Sequence, residues 1–315
     1  MDQASELGKN VLREVSRSFY LSLRVLPSSF REPASVGYLL ARISDTIADT
    51  EAVKEAERVE LLAEFCGLVK GEGDSSRFVE RVAERFLGEQ QHEGERVLME
   101  NSALCLRWLS ELGGEQQELI RVLLGQITEG QCWDLERFGG EEVVRLSDEE
   151  ELKRYAYLVA GSVGEFWTDL GFLLDGEFSE IPQEELRETG RRYGMGLQLV
   201  NILRDIPEDL EKGRCYLPGE GGVEPEELLE AMLVWRKRAA GWLGDGLHYA
   251  GSVRGARIRF ASGLPAMIGL RTLDLLKTAD WEALVGRVKV PRSAVRSCAW
   301  QALIASLASG PERWI

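Results

Sequence analysis

An all-α fold is what this sequence predicts, on three observations. Apolar residues recur at spacings of three and four in VLREVSRSFYLSL, VGYLLARISDTIADT and EAERVELLAEFCGLV, with charges on the opposite face. The period-two alternation of a half-buried strand is nearly absent. The breaks between the helical runs are short and polar: KGEGDSS (70–76), LGEQQHEGE (87–95), LGG (112–114) and FGGEE (138–142) read as turns. With helices averaging ~11–12 residues, about ten or more of them fit the chain. No repeat period and no low-complexity linker divides it, so residues 1–315 read as one domain.

Helix boundaries are legible further along. Ser147, followed three residues later by Glu150, has the spacing of a capping box opening ELKRYAYLVAGSVGEFW. Pro182 in EIPQEELRETG and Pro225 in VEPEELLEAM suit the first turn of a helix, where a missing N–H costs nothing. The final WQALIASLASGPERWI is apolar and helical up to Gly310–Pro311 and reads as core rather than as an anchor. RDIPED is the awkward stretch. Asp205 and Asp209 have the i, i+4 spacing that shares one helix face, yet Pro207 between them removes a bond to the Leu203 carbonyl. The expectation is a kink there, or unwinding after Asp209 with Gly213 as the break.

Composition bounds the function. The net charge of −15 argues against a uniformly basic nucleic-acid surface and against electrostatic docking on anionic lipid. Five scattered cysteines without CxxC spacing suggest reduced thiols in a cytoplasmic protein, and two histidines nearly exclude histidine metal sites and Ser/His/Asp triads. The first residues lack a signal-peptide pattern, and no apolar run reaches the ~18 residues of a membrane span.

The chemistry-bearing candidates are two pairs of aspartates. Asp45 and Asp49 lie in a helix whose buried side carries Ile43 and Ile47, with Arg42 one turn before Asp45. Asp205 and Asp209 have Arg204 adjacent and Gln198 and Asn201 upstream near the same face. Paired carboxylates suit Mg²⁺, a hard cation usually held by one or two carboxylates plus substrate phosphate oxygens. Arg42 and Arg204 could grip those oxygens through forked, charge-assisted bonds. In so acidic a chain a lone DxxxD is more often a solvated helix face; two such motifs, each with arginine nearby in an apolar helix, put a diphosphate site on equal terms with that reading.

These motifs sit within segments through which the chain resembles the squalene/phytoene synthase family of head-to-head prenyl transferases. The segments are SRSFYLSLRVLP (16–27), YLLARISDTIADT (38–50), YLVAGSVG (157–164), LQLVNILRDIPEDLEKGRCYLP (197–218) and LPAMIGLRTL (264–273), in the family's order and over most of the chain. The resemblance implies an isoprenoid synthase fold with a central hydrophobic channel. It also implies two farnesyl diphosphate substrates and Mg²⁺ held by Asp45, Asp49, Asn201, Asp205 and Asp209. Arg17, Arg42 and Arg204 match arginines near the diphosphates, and Gln198 and Asn201 match polar residues beside the second motif. Tyr155 matches a tyrosine implicated in proton removal or cation stabilisation. Phe19 and Tyr38 match aromatics near the chain-binding region, and Arg214 and Tyr216 belong to the GRCYLP tail. Each of Phe19, Tyr38 and Tyr155 also sits among apolar residues at helical spacing, where packing is the commoner role.

The opening DTIAD looks more like squalene synthases than like the paired aspartates of phytoene and dehydrosqualene synthases. The implied reaction passes through presqualene diphosphate and ends in reduction by NADPH. Lys289 and Arg292 in GRVKVPRSAV resemble basic residues near the nucleotide, with a solvated basic turn as the plain alternative. No GxGxxG follows a strand, and the family binds NADPH without a Rossmann fold. Enzymes that stop at presqualene diphosphate, or make dehydrosqualene or phytoene, are the near alternatives. A non-catalytic assembly factor is the alternative of another class; it would be expected to lose the acidic motifs, which are intact here. Peripheral contact with a membrane would suit release of an insoluble hydrocarbon.

Overall fold

The structure, a computed structural model, describes residues 11–16, 19–90, 92–140, 142–307 and 310–314. The chain folds as helices, as the periodicity predicts. Among the described residues the strands are two-residue pieces, Val144–Arg145 (β1) and Arg214–Cys215 (β2), paired in parallel. The helices gather into two compact units, residues 1–136 and 137–315.

In the first unit α1 (Leu12–Ser16), α2 (Phe19–Val25) and α3 (Ser28–Asp49) are followed by α4 (Glu55–Lys70) and α5 (Ser75–Arg85). Next come α6 (Glu93–Glu100), α7 (Ser102–Glu111) and most of α8 (Gly114–Phe138). α3 buries Leu39, Leu40, Ile43 and Ile47, which fixes the face on which its acids stand. Asp74 caps α5 by accepting the Ser76 N–H, and Phe65 stacks on Phe78 at 5.6 Å to join α4 to α5. The breaks at 71–74 and 112–113 fall within the turns expected at 70–76 and 112–114, whereas the turn expected at 87–95 holds a 3-10 turn at Leu87–Glu89 and the first residues of α6 from Glu93.

The second unit holds α9 (Glu149–Ala156), a π-helical turn (Tyr157–Gly161), α10 (Ser162–Leu174) and α11 (Gln183–Arg204). It continues with α12 (Ile206–Glu211), α13 (Pro225–Ser252), α14 (Ala256–Leu276), α15 (Trp281–Val285) and α16 (Arg292–Ser306). α10 and α11 cross backbone to backbone. A Cβ built at Gly164 would lie 1.9 Å from the Gly190 carbonyl oxygen, and one at Gly194 would lie 2.1 Å from that of Ala160. Only glycine permits so close an approach.

Three local expectations change. The cap of α9 is Asp148, which accepts the Glu150 and Glu151 N–H groups; the reach-back comes from Glu151, whose carboxylate takes both the Ser147 N–H and hydroxyl. An aspartate one residue nearer the helix has the shorter reach to those amides. The run from Glu151 to Trp167 is not one α-helix, because its middle widens into the π turn at Tyr157–Gly161. Asp205 and Asp209 do not share a continuous helix either. α11 ends at Arg204, Asp205 stands at the junction (φ −103, ψ 14), and α12 restarts at Ile206 with Pro207 in its first turn. The proline thus sits where no backbone donor is needed. One helical bond still bridges the junction, from the Asp209 N–H to the Asp205 carbonyl at 2.9 Å. Gly213, at φ +77, turns the chain from α12 into β2, as expected of that break.

Candidate active site

The first motif is built on the last turns of α3. The Asp45 carboxylate takes a 2.8 Å bond from the Gln131 side-chain amide of α8 and a 3.4 Å contact from the Arg42 guanidinium. Burial pushes its carboxyl from 3.8 up to about 6; Arg42 pulls it down and Asp49 pushes it up again. Even so, 40% of the Asp45 side-chain surface meets water, which screens part of that penalty. Burial also works against the Arg42 cation, but Asp45, Tyr38, Glu95 and Asp49 together hold its pKa above the usual value. The second Arg42 amino group is bonded to Glu95 at 2.5 Å.

Two buried atoms here have no hydrogen-bond partner: the Gln131 side-chain oxygen and the Arg42 Nε. An orphaned acceptor on the side chain that meets Asp45 fits a hard, oxygen-seeking cation, and an orphaned guanidinium donor fits a phosphate oxygen. Among the described residues, no three His, Cys, Asp or Glu side chains form a ready-made metal cage. A carboxylate pair that leaves further positions to substrate and water meets the needs of Mg²⁺.

The second motif straddles the junction of α11 and α12. Arg204 clamps its neighbour Asp205 with two bonds, at 2.8 and 2.5 Å, and the bond to Asp205 holds the guanidinium pKa above its usual value. Gln198 is half-buried and Asn201 exposed on α11, and the Asn201 carbonyl accepts the Asp205 N–H at 2.9 Å. Asp209 lines a small recess with Ile202, Ile206, Arg214, Cys215 and Tyr216. The Tyr216 ring stacks on Tyr155 at 4.9 Å and 14°, and meets Phe138 edge-on at 5.1 Å. The GRCYLP tail and the α9 tyrosine are therefore brought together, and the tail's Arg214–Cys215 pairs with Val144–Arg145 as β2 on β1.

The remaining candidates are placed as follows. The Tyr38 hydroxyl donates to the Val15 carbonyl at 3.1 Å, so this ring ties α3 to α1. Phe19 opens α2, while Arg17 lies outside the described residues. Lys289 and Arg292 are exposed. The basic residue that reaches the second motif's helix is instead Arg287, which pairs with Glu208.

Sequence reading missed Gln131, Glu95, Arg287 and Glu165. The signal for Gln131 was present: Thr128, Gln131 and Asp134 form a buried polar row at spacings of three on α8. Glu165 of α10 is 3% exposed and pairs with Arg191 at 2.5 Å and Arg187 at 3.2 Å, while also accepting the Tyr157 hydroxyl. It pins the π turn and α10 to α11, and nothing in its spacing separates it from a solvated acid.

The squalene/phytoene synthase family profile matches residues 12–294, and the chain belongs to that family. Among curated relatives, the bifunctional lycopene cyclase/phytoene synthase of Blakeslea trispora is 30% identical over 66% of this chain and 32% of its own length. The squalene synthase of Candida albicans is 28% identical over 68% of this chain and 46% of its own length. The presqualene diphosphate synthase of Zymomonas mobilis is 29% identical over 80% of this chain and 75% of its own length. The chain thus spans a third to a half of the first two. Among solved structures, the complex of TcSQS with E5700 superposes with a TM-score of 0.76 at 22% identity, over 98% of this chain and 90% of that one. A dehydrosqualene synthase follows at 0.62 and 17% identity, over 95% of each chain. The fold is that of the isoprenoid synthases.

Proposed function

We propose that the protein is a squalene synthase, condensing two farnesyl diphosphates head to head and reducing the product to squalene. The observation that carries this reading is the conjunction of family segments with the two aspartate motifs. Each motif keeps its arginine within bonding distance, and the first adds an orphaned acceptor and an orphaned donor beside its acids. In this reading Asp45, Asp49, Asn201, Asp205 and Asp209 would hold Mg²⁺, which would supply charge stabilisation to the departing diphosphate. Arg42 and Arg204 bind diphosphate oxygens, as does Arg17.

The first half-reaction joins two farnesyl diphosphates to presqualene diphosphate, releasing one diphosphate and one proton. The second loses the remaining diphosphate; NADPH, when bound, would supply the hydride that completes squalene. The Tyr155 ring, stacked on Tyr216, presents a π face that stabilises a nearby carbocation. A tyrosine hydroxyl is a weak base. The released diphosphate is an equal candidate for the proton. Phe19 and Tyr38 line the prenyl chains, Gln198 orients the second motif's ligands, and Arg214 and Tyr216 close the Asp209 side. Lys289 and Arg292 receive the nucleotide phosphates.

A second reading, an enzyme that stops at presqualene diphosphate, draws support from the fuller length match to the Zymomonas mobilis relative. Incubation with farnesyl diphosphate and Mg²⁺, with and without NADPH, followed by product chromatography, separates the two. Squalene formed only with NADPH is the expected result. Presqualene diphosphate accumulating whether or not NADPH is present would refute the lead reading in favour of the second.

A further inference from the structure

We propose that Glu95 is a positioning residue: it draws the Arg42 guanidinium off Asp45 and so keeps one Asp45 oxygen open to a divalent cation. This role rests on the proposed function and adds a residue that lies in neither aspartate motif. An arginine beside an aspartate tends to close on it, because the forked guanidinium matches both carboxylate oxygens. Arg204 does so, with bonds of 2.8 and 2.5 Å to the two oxygens of Asp205. Arg42, one turn before Asp45, does not. Its Nη1 stands 3.4 Å from Asp45 Oδ2, beyond the usual hydrogen-bond range, while its Nη2 bonds Glu95 at 2.5 Å. The Gln131 amide holds the other Asp45 oxygen, Oδ1, at 2.8 Å. One oxygen is thus fixed and the other lightly held, as a carboxylate must be to accept a hard cation. A guanidinium clamped on both would compete for the same lone pairs. The orientation also leaves Arg42 Nε buried without a partner among the described residues. An unpaired buried donor is destabilising, so the pull of Glu95, not donor satisfaction, sets this orientation.

The fold turns Glu95 inward. On the solvent side of α6, Arg96 engages Glu93 at 2.6 Å and Glu100 at 2.5 Å. Glu95 reaches α3 instead, and its side chain is 25% exposed against 66% for Glu93. Gly94 sets how deeply this turn sits. A Cβ there would lie 2.9 Å from the Glu14 Cβ on α1, an approach that a larger residue could not make. α6 packs against both α1 and α3, so the Glu95–Arg42 bond joins packed helices and is not a loose surface pair. The Arg42 side chain is itself 26% exposed. Opposite charges that are partly buried are screened less than a surface pair. Glu95 is therefore able to compete with Asp45 for the same guanidinium.

The full chain, free of diphosphate, is titrated with Mn²⁺, which shares the oxygen preference of Mg²⁺ and is followed by electron paramagnetic resonance. The part of the binding that Asp45→Ala removes reports the site. Glu95→Gln keeps the shape and removes the charge; it should weaken that binding by about tenfold, equivalent to ~1.4 kcal/mol. Glu95→Asp keeps the charge and should stay within about threefold of wild type. Arg42→Gln added to Glu95→Gln should restore the lost affinity, because nothing is left to close on Asp45. A merely structural role would not be relieved by a second substitution. Arg42→Gln alone should bind at least as tightly as wild type, which keeps the test decisive should Glu95→Gln lose its helical circular dichroism. Four results would overturn the proposal: no binding removed by Asp45→Ala, a folded Glu95→Gln that binds as well as wild type, a double variant as weak as the single, or weaker binding by Arg42→Gln alone. Diphosphate release from farnesyl diphosphate with Mg²⁺, measured on wild type in parallel, keeps the two readings apart. Release alongside any of those results leaves the proposed function standing, and no release overturns both.

Discussion

Gly164→Ala should be strongly destabilising, although glycine-to-alanine in a helix interior normally stabilises by ~1 kcal/mol. The added Cβ would lie 1.9 Å from the Gly190 oxygen and 2.4 Å from its carbonyl carbon. Reaching ordinary contact at about 3.4 Å requires α10 and α11 to part by roughly 1.5 Å. The obstacle is backbone, so no rotamer change relieves it. A radial gap of ~0.5–1 Å already forfeits a quarter to a half of the dispersion well, and overpacking typically costs ~1–3 kcal/mol. The clash sits at the top of that range, about 3 kcal/mol. For a unit of this size each kcal/mol moves the melting temperature by ~2–4 °C, so a fall of about 6–12 °C is expected. Gly244→Ala, also inside a helix of the same unit but with nothing within 4 Å, is the control and should melt at or above wild type. Thermal unfolding followed by circular dichroism reads both. A Gly164→Ala protein melting within a degree of wild type would refute the close-crossing argument.

Other outcomes follow from the charge networks. Glu165→Ala leaves Arg187 and Arg191 without their buried partner. Breaking a buried pair costs ~3–5 kcal/mol, but both arginines are about a third exposed, so a loss of about 2 kcal/mol in urea unfolding is expected. Glu165→Gln should lose less, because its amide oxygen still accepts from Tyr157. Asp45 gives a pH signature in Mg²⁺-free protein. Its folded pKa is raised, so its contribution is present below 3.8 and is lost as pH rises through about 6. The full shift corresponds to ~3 kcal/mol. Discounted for the 40% exposure of the side chain, about 1 kcal/mol should separate wild type from Asp45→Asn above pH 7, with the asparagine variant the more stable. Equal stability of the two across that window would show that burial does not perturb this acid.

The helical fold was legible because its signal is summed over many residues. α3 alone repeats its apolar spacing through Leu39, Leu40, Ile43 and Ile47. Both aspartate motifs were legible because each pairs two acids and an arginine within one short run. What stayed hidden depends on contacts distant in sequence or on small differences of geometry. Gln131 meets Asp45 across 86 residues. Asp148 rather than Ser147 takes the cap by one residue, and the π turn has no periodicity of its own. At Pro207 the sequence predicts a kink, or unwinding after Asp209 with Gly213 as the break; the interruption falls two residues earlier, at Asp205, Pro207 sits in the first turn of the new helix, and Gly213 ends it.

The proposed function requires both aspartate motifs in Mg²⁺-dependent ionisation of a prenyl diphosphate. Diphosphate release from farnesyl diphosphate, measured with and without Mg²⁺ in wild type, Asp45→Ala and Asp209→Ala, tests it directly. Wild type should release diphosphate only with Mg²⁺, and both variants should lose that release with helical circular dichroism intact. Near-normal release by either variant would remove that residue from the metal site and overturn the proposed function.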